Sequence, residues 1–143
     1  MTTQEQLQQV FTDNFVTYYH THVAHVNTVG RNFVSDHELL GEIYLHLQGQ
    51  IDSLAELIRT MGEFMPTTLG DVIMNSHNDD KPMEGRSDEL LDFVRDHLEH
   101  LFDCYVSLDE VAEEEEEEHI ANYAQEQMLI LKKFVWKLES VLD

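Results

Sequence analysis

Apolar residues recur at steps of three and four positions through nearly the whole chain, which is the spacing of one helix face. The first stretch ends at Gly30, and the second runs from Leu40 to Gly62. A third stretch follows Ser87, a fourth begins near Ile120, and no segment alternates like a strand. The pattern predicts an all-α chain with four long helices. The positions that define the first two are Leu7, Val10, Phe11, Phe15, Tyr18, His22, Val23, Val29, Leu40, Ile43, Tyr44, Leu47, Ile51, Leu54, Ile58 and Met61.

The connection between the second and third helices, residues 62–86, is the only long one, and both prolines of the chain lie in it. Within it, Leu69 to Met74 is predicted to form a short helix capped by Thr67 or Thr68. Ser87 precedes two acidic residues, which predicts the start of the third helix with the serine hydroxyl as its cap. A long crossover lets the second and third helices run parallel. We therefore expect a ferritin-like four-helix bundle, with a short extra helix in the crossover and residues 1–143 forming one domain.

The composition places the chain in a broad class. Its 143 residues, of which 42% are hydrophobic, suffice for one folded core. No apolar run approaches the roughly 20 residues of a membrane span, and the first ten residues do not resemble a secretory signal. Cys104 is the only cysteine, so no disulfide can form within the chain. These features predict a cytoplasmic protein without a membrane segment.

The charge is strongly negative: 29 acidic residues against 8 basic ones give a net charge of −21. Such a surface repels nucleic acid phosphates and attracts cations. Residues 1–10 contain no Lys or Arg, so no basic arm is available for DNA, and DNA binding is not expected. An acidic, lysine-poor surface also suits a high-salt cytosol, and the two explanations are compatible.

Four side chains are candidate metal ligands: His25, His37, Asp52 and Glu56. Asp52 and Glu56 are four residues apart, so their carboxylates share one helix face. A hairpin at Gly30 would bring His25 close to His37. However, 15 helical residues separate His37 from Asp52 by about 22 Å, which one metal cannot bridge. Two antiparallel copies could unite the four ligands, and their mixed nitrogen and oxygen donors suit iron or zinc. The alternative is that these are core or surface histidines and solvated acids.

The segment HVNTVGRNFVSDHELLGEIYLHLQGQIDSLAE, residues 25–56, resembles the ferroxidase segment of the Dps family of mini-ferritins. The matching features are the histidine pair twelve residues apart, the intervening Gly-x-x-Phe turn, and the Asp and Glu that follow. TTLGDVIMNS resembles the short crossover helix of the family, and KKFVWKLESVLD its last helix, with Trp136 in place. The residues that carry the resemblance in the first segment are His25, Asn27, Gly30, Phe33, His37, Asp52 and Glu56.

The resemblance implies a homo-oligomeric, dodecameric cage with metal sites at its two-fold interfaces. The His pair of one subunit would face Asp52 and Glu56 of its partner, and these four residues would be both the metal ligands and the catalytic residues. The implied function is oxidation of Fe(II), preferably with hydrogen peroxide, and storage of ferric mineral, with zinc as a competitor for the site. The alternative function is a non-catalytic acidic cage or scaffold with degenerate metal sites.

Two positions depart from the family pattern. Many members carry an acid four residues after the second histidine, where it helps to hold a second iron; here Gly41 stands there, and the adjacent Glu42 points about 100° away around the helix. Val26 replaces an aromatic residue, so protection against stray oxidising equivalents would be lost or would depend on Tyr44 or Tyr19. The second iron position is the feature that Gly41 places in question.

The remaining polar features keep alternative interpretations. Glu113 to Glu118 is either a solvated helix end or, by the resemblance, a set of acids near three-fold pores that draw in Fe(II). His20 or His22 could replace His25 in the site, although only His25 has the family spacing. The other histidines, for which no carboxylate partner is expected, are His46, His77, His97 and His100.

Overall fold

The computed structural model describes residues 1–143 and contains five α-helices and no strand. The helices are α1 (Thr3–Asn27), α2 (Phe33–Thr60), α3 (Leu69–Asn75), α4 (Ser87–Glu114) and α5 (Glu118–Leu142). Four are long and form the bundle, and α3 is the short helix of the crossover. The predicted all-α architecture of four long helices, with a short extra helix in the crossover, is thereby confirmed. None of the five helices is both long enough and apolar enough to cross a membrane.

The long helices pack so that α1 contacts α2 and α4, while α4 also contacts α5. The bundle is completed by contacts between α2 and α5, where polar side chains meet. His46 forms a hydrogen bond with Gln127, and the Tyr123 hydroxyl donates to Gln50. A single cluster of 27 buried residues lies between the helices, and Val72 carries the contribution of α3 to it. Each helix is therefore held by the apolar face that its sequence pattern predicts.

Caps and turns set the helix ends. Thr2 caps α1 in a reciprocal arrangement with Glu5, and Thr68 caps α3 by accepting from the Asp71 N–H, so the second of the two expected caps is the one used. Gly30 adopts a φ of 136° in the five-residue loop between α1 and α2, a conformation that favours glycine. This loop makes α1 and α2 an antiparallel hairpin.

The prediction that the Ser87 hydroxyl caps α4 is wrong. Ser87 is the first residue of the helix rather than its cap, and the cap position, Arg86, has no side-chain cap bond. The Ser87 hydroxyl donates to the carboxylate of Asp36 at the start of α2 instead, in a buried contact. The serine therefore joins two helices, because a buried carboxylate requires a donor more strongly than a helix end that water can reach.

Candidate metal centre

The start of α4 holds the loop that carries the candidate site. The Ser87 N–H donates to the carbonyl of Val29 at 3.2 Å, and its hydroxyl binds Asp36. These two bonds fix the loop between α1 and α2 and the first turn of α2. His37, which follows Asp36, and His25, near the end of α1, are therefore presented from restrained backbone.

The hairpin brings the two predicted histidines together. The imidazole rings of His25 and His37 stack with centroids 3.8 Å apart and planes 16° from parallel. Nδ1 of His25 lies 2.7 Å from the carbonyl oxygen of His37, and Nδ1 of His37 lies 2.7 Å from that of His25. The contact is reciprocal, so each residue orients the other.

These two hydrogen bonds determine which nitrogen can bind a metal. A carbonyl oxygen can only accept, so Nδ1 of both rings must carry the proton and donate it. In the neutral imidazole Nε2 then keeps its lone pair. Orientation of a ligand histidine by an Nδ1–H bond to a carbonyl is the usual arrangement in metal sites. The pair is thus organised to offer two Nε2 ligand atoms before any metal arrives.

Aromatic residues surround the pair. Tyr44 lies 4.9 Å from the His25 ring, and Phe33 lies 5.0 Å from the His37 ring, centroid to centroid. His22 stacks flat on Tyr44 at 4.2 Å. Of the two tyrosines considered as substitutes for the missing aromatic residue, Tyr44 is the one in contact with the pair.

Gly41 is required by the position of His25. A Cβ at residue 41 would lie 2.9 Å from Cε1 and 3.2 Å from Nδ1 of the imidazole, closer than unstrained contacts allow. An acidic side chain at this position would therefore displace the ring. Glu42 does not compensate, because it is exposed and pairs with Lys137 of α5 at 3.4 Å.

The predicted carboxylates, Asp52 and Glu56, lie exposed on α2. Fifteen helical residues separate Asp52 from His37, about 22 Å along the axis, so one chain does not bring its carboxylates to its histidines. The ion pairs within the chain engage other acids, namely Asp13, Glu42, Asp80, Asp92, Asp96 and Glu117. Asp52 and Glu56 thus remain available to a cation or to a second copy of the chain.

His20 does not substitute for His25, because it faces the bundle interior. Its Nδ1 lies 3.0 Å from Nε2 of His97, and its Nε2 lies 3.1 Å from the carboxylate of Asp80. Burial, reinforced by the neighbouring His20 and His100, lowers the pKa of His97 from 6.5 to about 4. His97 is therefore neutral at ordinary pH and belongs to an internal hydrogen-bond network.

The expectation for His77 is wrong. Its Nδ1 lies 2.9 Å from the carboxylate of Asp13, whose side chain is 2% exposed, so it has the carboxylate partner that was not expected. Cys104 approaches the same two residues. No local spacing indicates this cluster, because Asp13 lies in α1, His77 follows α3 and Cys104 lies in α4.

The acidic run spans the end of α4, the turn and the start of α5. Glu115 accepts from both the N–H and the hydroxyl of Thr3, and these bonds lower its pKa. Glu113 accepts from Gln125, and Glu117 lies 3.9 Å from His119. Part of the run therefore has a role within the chain, and Glu114, Glu116 and Glu118 are exposed.

Comparison with known proteins gives consistent results. The family model described as a ferritin-like domain matches residues 4–143. A "DNA protection during starvation protein" of Brevibacillus brevis is 30% identical over 129 residues, covering 90% of this chain and 86% of the relative. The protein of the same name from Helicobacter pylori is 28% identical over 143 residues, and the match covers 99% of this chain and 99% of the relative. The crystal structure of a Dps protein from Bacillus brevis superposes with a TM-score of 0.93 at 26% identity, covering 99% of this chain and 95% of the other.

Proposed function

The chain belongs to the Dps family of ferritin-like proteins, and on that basis we propose that it oxidises Fe(II), preferably with hydrogen peroxide, and stores the ferric product inside a hollow cage. The observation that carries the proposal is the reciprocal His25–His37 pair, in which both Nε2 atoms are free to bind a metal. Iron is here a substrate and a cargo. Membership of the family supports iron as the metal, and the geometry of the histidine pair supports the proposal that iron binds there.

In the proposed site, Nε2 of His25 and His37 bind Fe(II) from one subunit. Asp52 and Glu56 of a second subunit complete the set, because within one chain they lie about 22 Å and about 28 Å from His37 along α2. Anionic oxygen ligands favour Fe(III) over Fe(II), since the attraction grows with the charge of the ion. The carboxylates therefore make the loss of an electron easier. Peroxide accepts one electron from each of two Fe(II) ions and, with two protons, leaves as water.

Gly41 limits the proposed site to one firmly held iron. The space that an acid would need is filled by the His25 ring. A second Fe(II) would then have fewer protein ligands and bind more weakly. We expect oxidation to depend more steeply on Fe(II) concentration than it would with two strong positions.

Assembly into a dodecamer would cover apolar surface that a single chain exposes. Large apolar side chains are exposed on the α1–α2 hairpin, on α2 and along the crossover, a distribution typical of subunit interfaces. In the same cage, the exposed Glu114, Glu116 and Glu118 could line the three-fold pores and concentrate cations there. The exposed large apolar residues in these regions include Val26, Val29, Phe33, Val34, Leu45, Phe64, Met65, Leu69, Ile73 and Met74, and α5 also exposes Leu129, Trp136 and Val141.

Direct binding of DNA is not part of the proposal, although relatives carry DNA protection in their names. The net charge is −21, and residues 1–10 contain no Lys or Arg. Phosphate contacts by Lys and Arg supply most of the affinity in non-specific DNA binding. Any protection of DNA would then come from removal of Fe(II) and peroxide.

Zinc is expected to compete with Fe(II), because it accepts the same His and carboxylate ligands.

The decisive experiment is size-exclusion chromatography with light scattering and iron analysis, after Fe(II) and peroxide have been added. An assembly of twelve 16.7 kDa chains should have a mass of about 200 kDa by light scattering and should elute together with iron. His37→Ala combined with Asp52→Ala should abolish rapid oxidation while the helices stay folded. Ser35→Ala combined with Ser53→Ala changes neighbouring residues of α2 and should leave oxidation unchanged. An assembled cage that takes up no iron would support the alternative, a non-catalytic acidic cage.

A further inference from the structure

A second cluster of metal-ligating side chains lies away from the histidine pair. Asp13 of α1, His77 after α3 and Cys104 of α4 each place one donor atom within 4.8 Å of the other two. Asp13 lies 12 residues before His25 on α1, which is about 18 Å along the helix. The cluster is therefore a separate place on the subunit.

We propose that Asp13, His77 and Cys104 bind a divalent cation of intermediate softness, of which Zn²⁺ is the representative. One carboxylate oxygen, one imidazole nitrogen and one sulfur form a mixed set that suits Zn²⁺ and Co²⁺ and that does not suit Mg²⁺ or Ca²⁺. Three protein ligands leave a fourth position for water. A cleft of about 470 Å³ that His77 and Cys104 help to line lies beside the cluster and would give water access to it.

The three donor atoms lie within 4.8 Å of one another, so small side-chain movements would be needed to accommodate the ion. Tetrahedral Zn²⁺, with bonds of roughly 2.0 to 2.3 Å, places its ligand atoms about 3.3 to 3.6 Å apart. Oδ2 of Asp13 and Nδ1 of His77 are 2.9 Å apart, so this pair must open by about half an ångström for the metal to enter. His77 can supply the movement, since its side chain is 66% exposed and follows the short helix α3.

The surroundings orient the two buried donors. Oδ1 of Asp13 accepts from the His77 N–H at 2.6 Å and from the Ser76 hydroxyl at 3.1 Å, which leaves Oδ2 directed at the imidazole. The amide of Gln6 donates to Sγ of Cys104 at 3.3 Å and to the Cys104 carbonyl at 3.1 Å. Hydrogen bonds of this kind fix ligand orientation and stabilise a bound thiolate.

A purely structural role would use only part of this arrangement. Asp13 alone would anchor the crossover by accepting from Ser76 and His77, and Cys104 would be a small buried side chain. Burial raises the pKa of the Cys104 thiol, so a bound cation must displace its proton. A bond from the cation to sulfur therefore distinguishes a metal-binding role of the cluster from a purely structural one. Cys104 is the only cysteine that could provide this bond.

The test is a titration of the iron-free, full-length protein with Co²⁺ under a phosphine reductant, followed by absorption spectroscopy. A thiolate-to-Co²⁺ charge-transfer band in the near ultraviolet should grow to saturation and disappear when Zn²⁺ is added. Cys104→Ser should remove the band. His25→Ala combined with His37→Ala should leave it intact, which distinguishes this cluster from the proposed ferroxidase site.

His77→Gln provides a variant whose folding is not at risk, because the side chain is exposed. It should raise the Co²⁺ concentration needed for half of the band by about tenfold or more. Binding of Co²⁺ to the wild type without the band would overturn the proposal. An unchanged titration of the band in His77→Gln would overturn it as well. Circular dichroism of each variant establishes that the helices are intact.

Discussion

If each ferroxidase site takes its histidines from one chain and its carboxylates from another, two inactive variants should restore activity to each other. The variants are His37→Ala and Asp52→Ala, and each alone should lose at least about tenfold in the rate of Fe(II) oxidation. In a dimer of one chain of each kind, one site carries both substitutions. The other site combines the intact histidines of the second chain with the intact carboxylates of the first.

The expected recovery follows from random pairing. With equal amounts of both chains, half of the two-fold dimers are mixed, and half of the sites in each mixed dimer are intact, so about one quarter of the wild-type rate should return. The two positions are 15 residues apart on α2, about 22 Å along its axis, which makes any rescue within one chain impossible.

The assay uses two full-length chains with different affinity tags, expressed together, and doubly selected assemblies mixed with Fe(II) and peroxide in a stopped-flow instrument. The matched control is a mixture of His25→Ala and His37→Ala, which removes one ligand from every histidine pair and should recover nothing. Absence of recovery in correctly sized mixed assemblies of the first pair would refute the site shared between subunits. Equal recovery in the control mixture would refute it too.

Three further expectations follow from the structure. Gly41→Ala places a Cβ 2.9 Å from Cε1 of His25, so the rate of Fe(II) oxidation, measured by stopped flow, should fall by at least about tenfold. Because alanine favours the helix, the loss of unfolding free energy, measured by urea unfolding, should be limited to roughly 1 kcal/mol. His97 has a pKa of about 4 in the folded chain against 6.5 for the free side chain, so the unfolded state takes up the proton first as the pH falls. The contribution of His97 to the free energy of unfolding is therefore complete above pH 6.5 and is lost as the pH falls towards 4. His97→Gln should therefore flatten the dependence of unfolding free energy on pH in that window, and an unchanged slope would contradict the assignment. With a net charge of −21 and no Lys or Arg in residues 1–10, the protein should not retard duplex DNA in a gel at low salt, and a salt-sensitive shift would show the charge argument to be wrong.

Helix positions follow from the sequence because burial decides them and burial is periodic. The predicted short crossover helix and the Thr68 cap depend only on residues nearby in the chain, as does the hairpin that Gly30 allows. The meeting of His25 and His37 is predictable for the same reason: they lie near the two ends of one short loop.

Long-range partners were not predictable in this way. Ser87 has the sequence context of a helix cap, yet its hydroxyl satisfies the buried Asp36, 51 residues earlier. His77 acquires Asp13 and Cys104 only because the crossover folds back against α1 and α4. In each case a buried polar atom selects a distant partner, and a single sequence carries no signal for that choice.

Gly41 and the histidine pair are best understood as one feature. The missing acid could be interpreted as decay of the metal site, but the His25 ring occupies the space above the glycine and makes its bond to the His37 carbonyl from there. Without a Cβ at residue 41, α2 can approach α1 closely enough for the two rings to stack at 3.8 Å. A larger residue would displace the His25 ring and break the reciprocal bonds that engage Nδ1 of both rings. In the proposed site the glycine would therefore preserve the orientation of the histidine pair, and a strong second metal position that depends on an acid at residue 41 is incompatible with this placement of His25.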